Sequence, residues 1–200
     1  MSSCKPRRMT SICGPADYSG YASLRKMVDH FIRERGYLMD TERDWWGNPD
    51  LPFAEACRRA LFRLQNDQVR DGHQWTFSVD ALDGFAKTLA HNRSSLESAS
   101  TFQELYQGVE RALRLAPNRK PLLIYDISRR LGFRLGRQPE TVYLHAGTRA
   151  GANALKPGLG RPRTRPMAEF PTSIRTRLTP AQAEDFLCVA SKWLRADLWD

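Results

Sequence analysis

The sequence predicts an all-α protein, a compact bundle of six to eight helices. Apolar residues recur at helical spacing, as in Leu24, Met27, Val28, Phe31 and Ile32, and form one apolar stripe along a helix. Residues that cap or open helices stand before such stretches, and we find no convincing series of alternating strands. The chain has 200 residues and is 41% hydrophobic, which is enough to bury a core without disulfides.

Six helix starts carry a local signal, either a capping side chain or a proline in the first turn. The signals are Ser19 or Ser23, Pro52, Ser78 or Asp80, the Thr101–Glu104 capping box, Pro121, and Thr179 with Pro180. Their helices are predicted to end near residues 35, 68, 91, 115, 135 and 194. Gly36 is a natural end for the first helix. Weaker patterns predict a turn at Trp45–Pro49, a short helix from Pro139 through Leu144, and one or two turns over 147–155.

We expect a single helical domain over residues 19–200, preceded by a flexible basic tail over residues 1–18. The stretch Lys156–Pro166, KPGLGRPRTRP, combines four basic residues with three prolines and two glycines, which predicts a basic loop over 156–166. No stretch approaches the roughly 18 apolar residues of a membrane span. The first residues also lack the apolar run of a secretory signal. These features predict a cytoplasmic protein without membrane contact.

The positive charge is concentrated in one third of the chain. The whole sequence has 31 Lys and Arg against 22 Asp and Glu, a net charge of +9. Residues 111–177 hold fifteen of the basic residues and three of the acids, a net +12, so the remainder carries −3. Such asymmetry favours an acidic partner, most often DNA or RNA. Thirteen of the fifteen are Arg, so a genome rich in G and C is an alternative explanation.

The sequence offers no metal or cofactor signature. None of the four cysteines stands in C-x-x-C spacing, and none of the four histidines in H-E-x-x-H spacing. The acids, among them Glu184 and Asp185, show no pairing that suggests a catalytic carboxylate dyad. We therefore expect neither a metal nor a cofactor.

The segment from Arg111 to Leu135 reads RALRLAPNRKPLLIYDISRRLGFRL. It resembles a degenerate helix–hairpin–helix unit, a DNA-binding motif in which two helices flank a hairpin of the form P-G-h-G. Here Pro117-Asn118-Arg119-Lys120 occupies the hairpin, with Asn118 and Lys120 in place of the two glycines. The resemblance implies a phosphate held between the hairpin and the start of the second helix, where helix N-termini favour anions.

A wider resemblance covers about two thirds of the chain. The pieces DGHQWTFSVDAL, IYDISRRLGFRLGRQPETVYLHAGTRAGANAL and LTPAQAEDFLC are similar to an uncharacterised family of helical bacterial proteins, whose more typical members carry a PGIG-like hairpin. This resemblance implies the helical fold and the hairpin, and it transfers no catalytic residue.

The first functional hypothesis is an accessory nucleic-acid-binding protein that contacts the phosphate backbone without reading sequence. The hairpin, the helix after it and the basic loop would supply the contacts. The candidate residues are Asn118, Arg119, Lys120, Arg129, Arg130, Arg134, Arg137, Arg161, Arg163 and Arg165.

The second hypothesis is an enzyme that acts on nucleic acid or a nucleotide, with a pocket around Tyr125, Asp126, His145 and Arg149. Two of these residues have simpler explanations. Asp126 is spaced to form ion pairs with Arg129 and Arg130, and His145 could belong to a helix cap. A third hypothesis is a component of a larger assembly that binds a protein partner through its basic face. The sequence does not decide whether the protein is an enzyme, but it favours a protein without enzymatic activity.

Overall fold

The computed structural model describes residues 17–62, 77–116, 120–158, 160 and 162–200, without the side chains of 37–41. It confirms the all-α class. Seven helices in these ranges have nine or more residues, and a single two-stranded sheet accompanies them. The elements are α1 Leu24–Trp46, α2 Phe53–Leu61, α3 Val79–His91, α4 Arg93–Glu97, α5 Phe102–Ala112, α6 Pro121–Leu135, β1 Thr141–Tyr143, α7 Ala146–Leu155, β2 Thr164–Pro166, α8 Thr172–Arg175 and α9 Pro180–Ala190. None of the helices in these ranges is long and apolar enough to cross a membrane.

Four helices begin where the sequence predicts. The hydroxyl groups of Ser23, Ser78, Thr101 and Thr179 each accept a hydrogen bond from the backbone N–H three residues later, over 3.1 to 3.4 Å. Helix α6 also begins at Pro121, as predicted, and ends at a left-handed Gly136. Local capping chemistry therefore fixes most helix starts in this chain.

Helix α1 is longer than predicted. It continues through Gly36 and ends at Gly47, whose N–H donates to the carbonyl of Arg43. A glycine inside a helix costs only about 1 kcal/mol. The extra turns bury Trp46 and Glu42 against the rest of the protein, which offsets that cost. Trp45 and Trp46 consequently belong to the last turn of α1 rather than to a separate turn.

A small antiparallel sheet replaces two predicted features. Strand β1 pairs with β2, with Val142 opposite Arg165. The predicted helix through Tyr143 is therefore wrong, and so is the prediction that 156–166 is loop throughout. Neighbouring strand residues point to opposite sides, and here Val142 packs into one hydrophobic cluster while Tyr143 packs into another.

The buried apolar residues form two clusters. One joins α2 to α6 and Tyr143, and the other joins α1, Val142 and Leu144, and α7 to α9. The predicted single domain stays a prediction, and residues 1–16 of the predicted basic tail lie outside the described residues.

Helices α7 and α9 pack at very short distance through small residues. A Cβ atom on Gly151 would lie 2.1 Å from the carbonyl oxygen of Leu187, and one on Gly147 would lie 2.6 Å from the Cys188 sulfur. The two helices can keep this spacing only while these positions lack side chains.

We predict that Gly151→Ala lowers the free energy of unfolding by roughly 1–3 kcal/mol, because α7 must move away from α9 to relieve the contact. Gly84→Ala in α3 is the matched control, since its Cβ would meet nothing within 4 Å. The control should be neutral or stabilising by up to about 1 kcal/mol. Urea denaturation measures both, and equal stability of the two variants would contradict the packing described here.

Candidate functional site

A cleft of about 770 Å³ opens between the two hydrophobic clusters. Its walls come from α1, α5, α6, the segment from β1 into α7, and α9. This volume lies within the range of small-molecule sites, which combine apolar walls with a few placed polar groups. The cleft has this mixed character, because Tyr106, Tyr143 and Trp46 line it together with acidic, basic and amide side chains.

Helix α6 forms one wall and descends from the rim of the cleft to its floor. Lys120 at the start of the helix is exposed, Asp126 is half-buried, and Arg129 is buried. At a rise of 1.5 Å per residue, about 9 Å separates Lys120 from Asp126 along the axis, and about 14 Å separates it from Arg129. One helix thus places a cation at the opening and an ionic network at depth.

Arg129 is the centre of the network on the floor. Its Nη1 atom lies 2.9 and 3.0 Å from the two carboxylate oxygens of Asp185 on α9. Its Nη2 atom lies 3.8 Å from Glu42 on α1. The side chains of all three residues are at least nine-tenths buried. The network therefore connects α6 to α1 and α9 inside the protein.

Glu184 lies beside this network as a buried acid. Thr148 on α7 donates a hydrogen bond of 2.7 Å to its Oε1 atom. Burial raises the pKa of Glu184 well above its ordinary value, and the neighbouring charge of Asp185 raises it further. Burial also raises the pKa of Asp185, but Arg129 and a hydrogen bond from Glu184 oppose that shift. Glu184 therefore takes up a proton more readily than an exposed glutamate, while Asp185 forms the ion pair with Arg129.

The structure brings together three of the four residues of the predicted pocket. Asp126, His145 and Arg149 all line the cleft. Tyr125 is fully buried behind the lining, and its ring centroid lies 4.8 Å from that of His145. Burial raises the pKa of the Tyr125 hydroxyl well above its ordinary value. His145 is the N-cap residue of α7, although no side-chain hydrogen bond caps that helix.

Arg149 connects the two chain segments that flank the small sheet. Its Nη2 atom donates to the carbonyl oxygens of Leu144 at 2.9 Å and Pro162 at 3.3 Å. These bonds hold the end of β1 against the chain that enters β2. Arg149 thus has a structural role at the same place where it lines the cleft.

Two of the four arginines predicted to share a basic face are not on the surface, and the other two, Arg134 of α6 and Arg137 just after it, are half-buried. Arg129 and Arg130 are buried, and Arg130 donates to the carbonyl of Ala60 with its Cζ atom 4.5 Å from the Trp46 ring centroid. Arg134 donates to the carbonyl of Asn48, and Arg137 to that of Ala99. Helix α6 packs against α1, α2 and α5, so these guanidinium groups bond to neighbouring elements.

The predicted basic loop also divides into different environments. Arg165 is buried in β2 and bonds to Glu169 at 2.6 Å, so it is not part of a flexible arm. The Arg163 side chain is 83% exposed, lies 3.7 Å from Glu110 and lines the cleft. Asn118, Arg119 and Arg161 lie outside the described residues, so the hairpin resemblance stays a prediction.

Sequence reasoning missed the acids of the floor and the residues that α5 contributes. The sequence indicates no pairing for Glu184 and Asp185 that suggests a carboxylate dyad, whereas the structure buries both side by side. The available signal was their position in the otherwise apolar helix AQAEDFLCVA. Gln103, Tyr106, Gln107 and Glu110 recur at helical spacing and share the cleft-facing side of α5, and only the fold shows what that side faces.

Comparisons with known proteins add no assignment. No protein-family model, curated protein or solved structure matches the chain. Within the described ranges, no group of three or more His, Cys, Asp or Glu side chains could hold a metal ion. The function must therefore be argued from the chemistry of the cleft.

We predict that Glu184→Gln flattens the pH dependence of stability. The pKa of Glu184 is higher in the folded state than in the unfolded state. Its contribution is therefore fully present below about pH 4.5 and is lost as pH rises through the folded pKa. The variant should lose less stability than the wild type as the pH rises above about 4.5 in urea denaturation.

Glu140→Gln is the control for this measurement, because Glu140 is exposed and does not line the cleft. It should follow the wild-type pH dependence. An identical pH dependence for Glu184→Gln and the wild type would contradict a raised pKa of Glu184 in the folded protein.

Proposed function

We propose that the protein binds nucleic acid without sequence readout and contacts phosphate groups at the rim of the cleft. The observation that carries this proposal is the convergence of two exposed cations on one opening. Lys120 comes from the start of α6, and Arg163 comes from the segment before β2. The buried arginines of α6 take no part in this contact.

The start of α6 strengthens the rim as a site for phosphate. No described side chain caps this end of the helix. The first backbone N–H groups of a helix have no partner within the helix, and the helix dipole adds partial positive charge there. A helix of 15 residues beside a lysine is thus well suited to bind an anionic oxygen.

Further exposed cations can extend the contact along a nucleic-acid backbone. Arg111 and Arg114 lie at and just beyond the end of α5 and are exposed. Both belong to the part of the chain that carries +12. Contacts of this kind give affinity that depends on salt and carries no sequence information.

Fluorescence anisotropy with labelled duplex DNA, single-stranded DNA and duplex RNA tests the proposal at low and high salt. We expect salt-sensitive binding with a dissociation constant below roughly 10 µM at low salt. The nucleic acid bound most tightly then identifies the substrate class. Absence of binding to all three at low salt would contradict the proposal.

The double variant Lys120→Ala, Arg163→Ala should weaken binding and reduce its salt dependence. Each phosphate contact on duplex DNA contributes about 0.9 to the slope of log K against log salt, so the slope should fall by about two. Lys87→Ala is the control, because Lys87 is exposed on α3 and does not line the cleft. Equal slopes for the double variant and the control would exclude the rim as the contact surface.

An enzyme that acts on nucleic acid or a nucleotide is the second candidate function. The observation that favours it is the presence of Asp126, His145 and Arg149 in one cleft, together with Glu184, whose pKa is raised by burial. Positioned carboxylates and histidines are the usual general acids and bases.

Asp126→Asn separates the two candidates. If the protein only binds, the variant should keep its affinity, and neither protein should change an oligonucleotide followed by mass spectrometry. If Asp126 is a catalytic acid or base, the wild type should convert the oligonucleotide, and the variant should be slower by roughly 100-fold or more. Conversion at equal rates by both proteins would exclude that role for Asp126.

A further inference from the structure

A second, smaller cavity of about 320 Å³ lies on another side of α5, and no described residue lines both this cavity and the cleft. Its walls come from the junction of α3 and α4 and from the end of α5. The lining residues are Asn92, Ser95, Gly108, Arg111, Ala112 and Arg114. This described lining contains two arginines and no acid, so the cavity favours an anion.

The two arginines of this second cavity are not engaged by the protein. The guanidinium groups of Arg111 and Arg114 are exposed and form no hydrogen bond or ion pair with any described residue. Residues three positions apart share one side of a helix. The Arg114 N–H donates to the Arg111 carbonyl at 3.2 Å, which continues the helical turn beyond the end of α5. Both cations are therefore available to a ligand on the same side.

Gly108 leaves open the space between Arg111 and α4. A Cβ atom at this position would lie 3.0 Å from Cδ2 of Leu96 and 3.9 Å from Nη2 of Arg111. The Arg111 guanidinium therefore lies over the α5 backbone on the side that faces α4. A side chain at position 108 would occupy the same space.

The junction of α3 and α4 adds neutral hydrogen-bond donors. Ser95 contributes an exposed hydroxyl. The Asn92 amide, which carries two N–H groups, uses one of them to donate to the Thr88 carbonyl at 2.8 Å. Glu97, the acid of α4, bonds to Arg93 at 2.8 Å. The carboxylate nearest in the chain is thus already paired with a cation.

The end of α5 carries partial negative charge, which opposes anion binding. That charge amounts to about half an elementary charge, whereas the two guanidinium groups carry a full charge each. The Leu113 carbonyl also accepts from the Ala116 N–H at 2.9 Å. The arginines therefore determine the sign of the charge at this cavity.

A phosphate group matches these donors. The planar fork of N–H groups on a guanidinium pairs with two oxygen atoms of a phosphate. Two such forks and a hydroxyl can engage the several oxygen atoms of one phosphate. A carboxylate, with two oxygen atoms, would use fewer of these donors.

The second cavity and the rim of the cleft approach the same end of α5. Arg163 at the rim lies 3.7 Å from Glu110, which precedes Arg111 in the chain. A nucleic acid carries a phosphate at every nucleotide. One backbone can therefore reach the rim and the second cavity together.

We propose that the second cavity binds one phosphate group, held by Arg111 and Arg114 with the Ser95 hydroxyl. The source of the phosphate is the backbone of the nucleic acid that the rim contacts, so the inference rests on the proposed function. It adds to Lys120 and Arg163 a separate contact with its own geometry.

Duplex binding measured by fluorescence anisotropy over a series of salt concentrations tests this contact. The double variant Arg111→Gln, Arg114→Gln should lower the slope of log K against log salt by about 0.9, the contribution of one phosphate. The double variant Arg25→Gln, Lys26→Gln is the matched control, because it removes the same charge from exposed positions of α1 that line neither cavity. The control should keep the wild-type slope, and equal slopes for the two double variants would overturn the contact.

The double variant Arg111→Lys, Arg114→Lys separates a built site from two surface charges. Lysine keeps the charge but lacks the planar fork. The salt slope should stay unchanged, whereas affinity for the duplex should fall about three-fold or more, as expected for loss of a hydrogen bond. Unchanged affinity would show that the arginines act only as charges and would overturn the site.

Titration of the ¹⁵N-labelled protein with inorganic phosphate, followed by amide NMR, distinguishes the sources of phosphate. We expect shift changes at Ser95, Gly108 and Arg111 that the variant Arg111→Gln, Arg114→Gln lacks. These changes combined with an unaltered duplex slope in that variant would assign the cavity to free phosphate and overturn the nucleic-acid source. The same changes in a protein that binds no duplex would overturn the proposed function and support the phosphate site. Absence of the changes together with an unaltered slope would overturn this inference and leave binding at the rim intact.

Discussion

The ion pair between Arg129 and Asp185, extended by Glu42, is the interaction on which the arrangement of the cleft depends. It joins α6, which belongs to one hydrophobic cluster, to α1 and α9, which belong to the other. Breaking a buried ion pair typically costs about 3–5 kcal/mol, because the remaining charge is left without compensation. The network therefore acts as a polar joint between two apolar units. It also keeps the Arg129 side chain inside the protein.

The cleft forms because the polar side chains of this network cannot be packed as apolar side chains are. Buried charges need hydrogen-bonding partners in fixed geometry, and apolar side chains cannot fill the space around them as they fill a hydrophobic core. Thr148 bonds to Glu184, and Arg149 bonds to the two chain segments that flank the sheet. These side chains of the floor are thus bonded to other groups of the protein. Cations at the rim are the groups through which an acidic partner can be bound.

Local signals in the sequence predicted much of the fold. Local residues specify the helix starts at Ser23, Ser78, Thr101 and Thr179. The hydrogen bond that each hydroxyl accepts from the N–H three residues later depends only on neighbouring residues in the chain. The extension of α1 through Gly36 was not predictable, since it depends on burying Trp46 against distant elements. The pairing of β1 with β2 joins residues more than twenty positions apart, and nothing local in either strand indicates its partner.

The site was predicted only in part, for a similar reason. Asp126, His145 and Arg149 lie close together in the sequence, so their shared cleft could be suggested. The roles of Arg129, Arg130 and Arg165 could not, because charge patterning does not reveal which residues the fold will bury. The helical periodicity of the sequence correctly predicted that Arg129 and Arg130 lie on a helix. It did not show that this side of the helix packs against α1 and α2.

The most direct test of the cleft as the nucleic-acid site is backbone-amide NMR of the ¹⁵N-labelled protein, titrated with a short nucleic-acid duplex. Binding at the cleft predicts the largest shift changes at Lys120, Leu122, Tyr106 and Arg163, from three separate segments that line one opening. Changes confined to distant surfaces, such as those around Lys87 or Arg175, would contradict the assignment of the cleft.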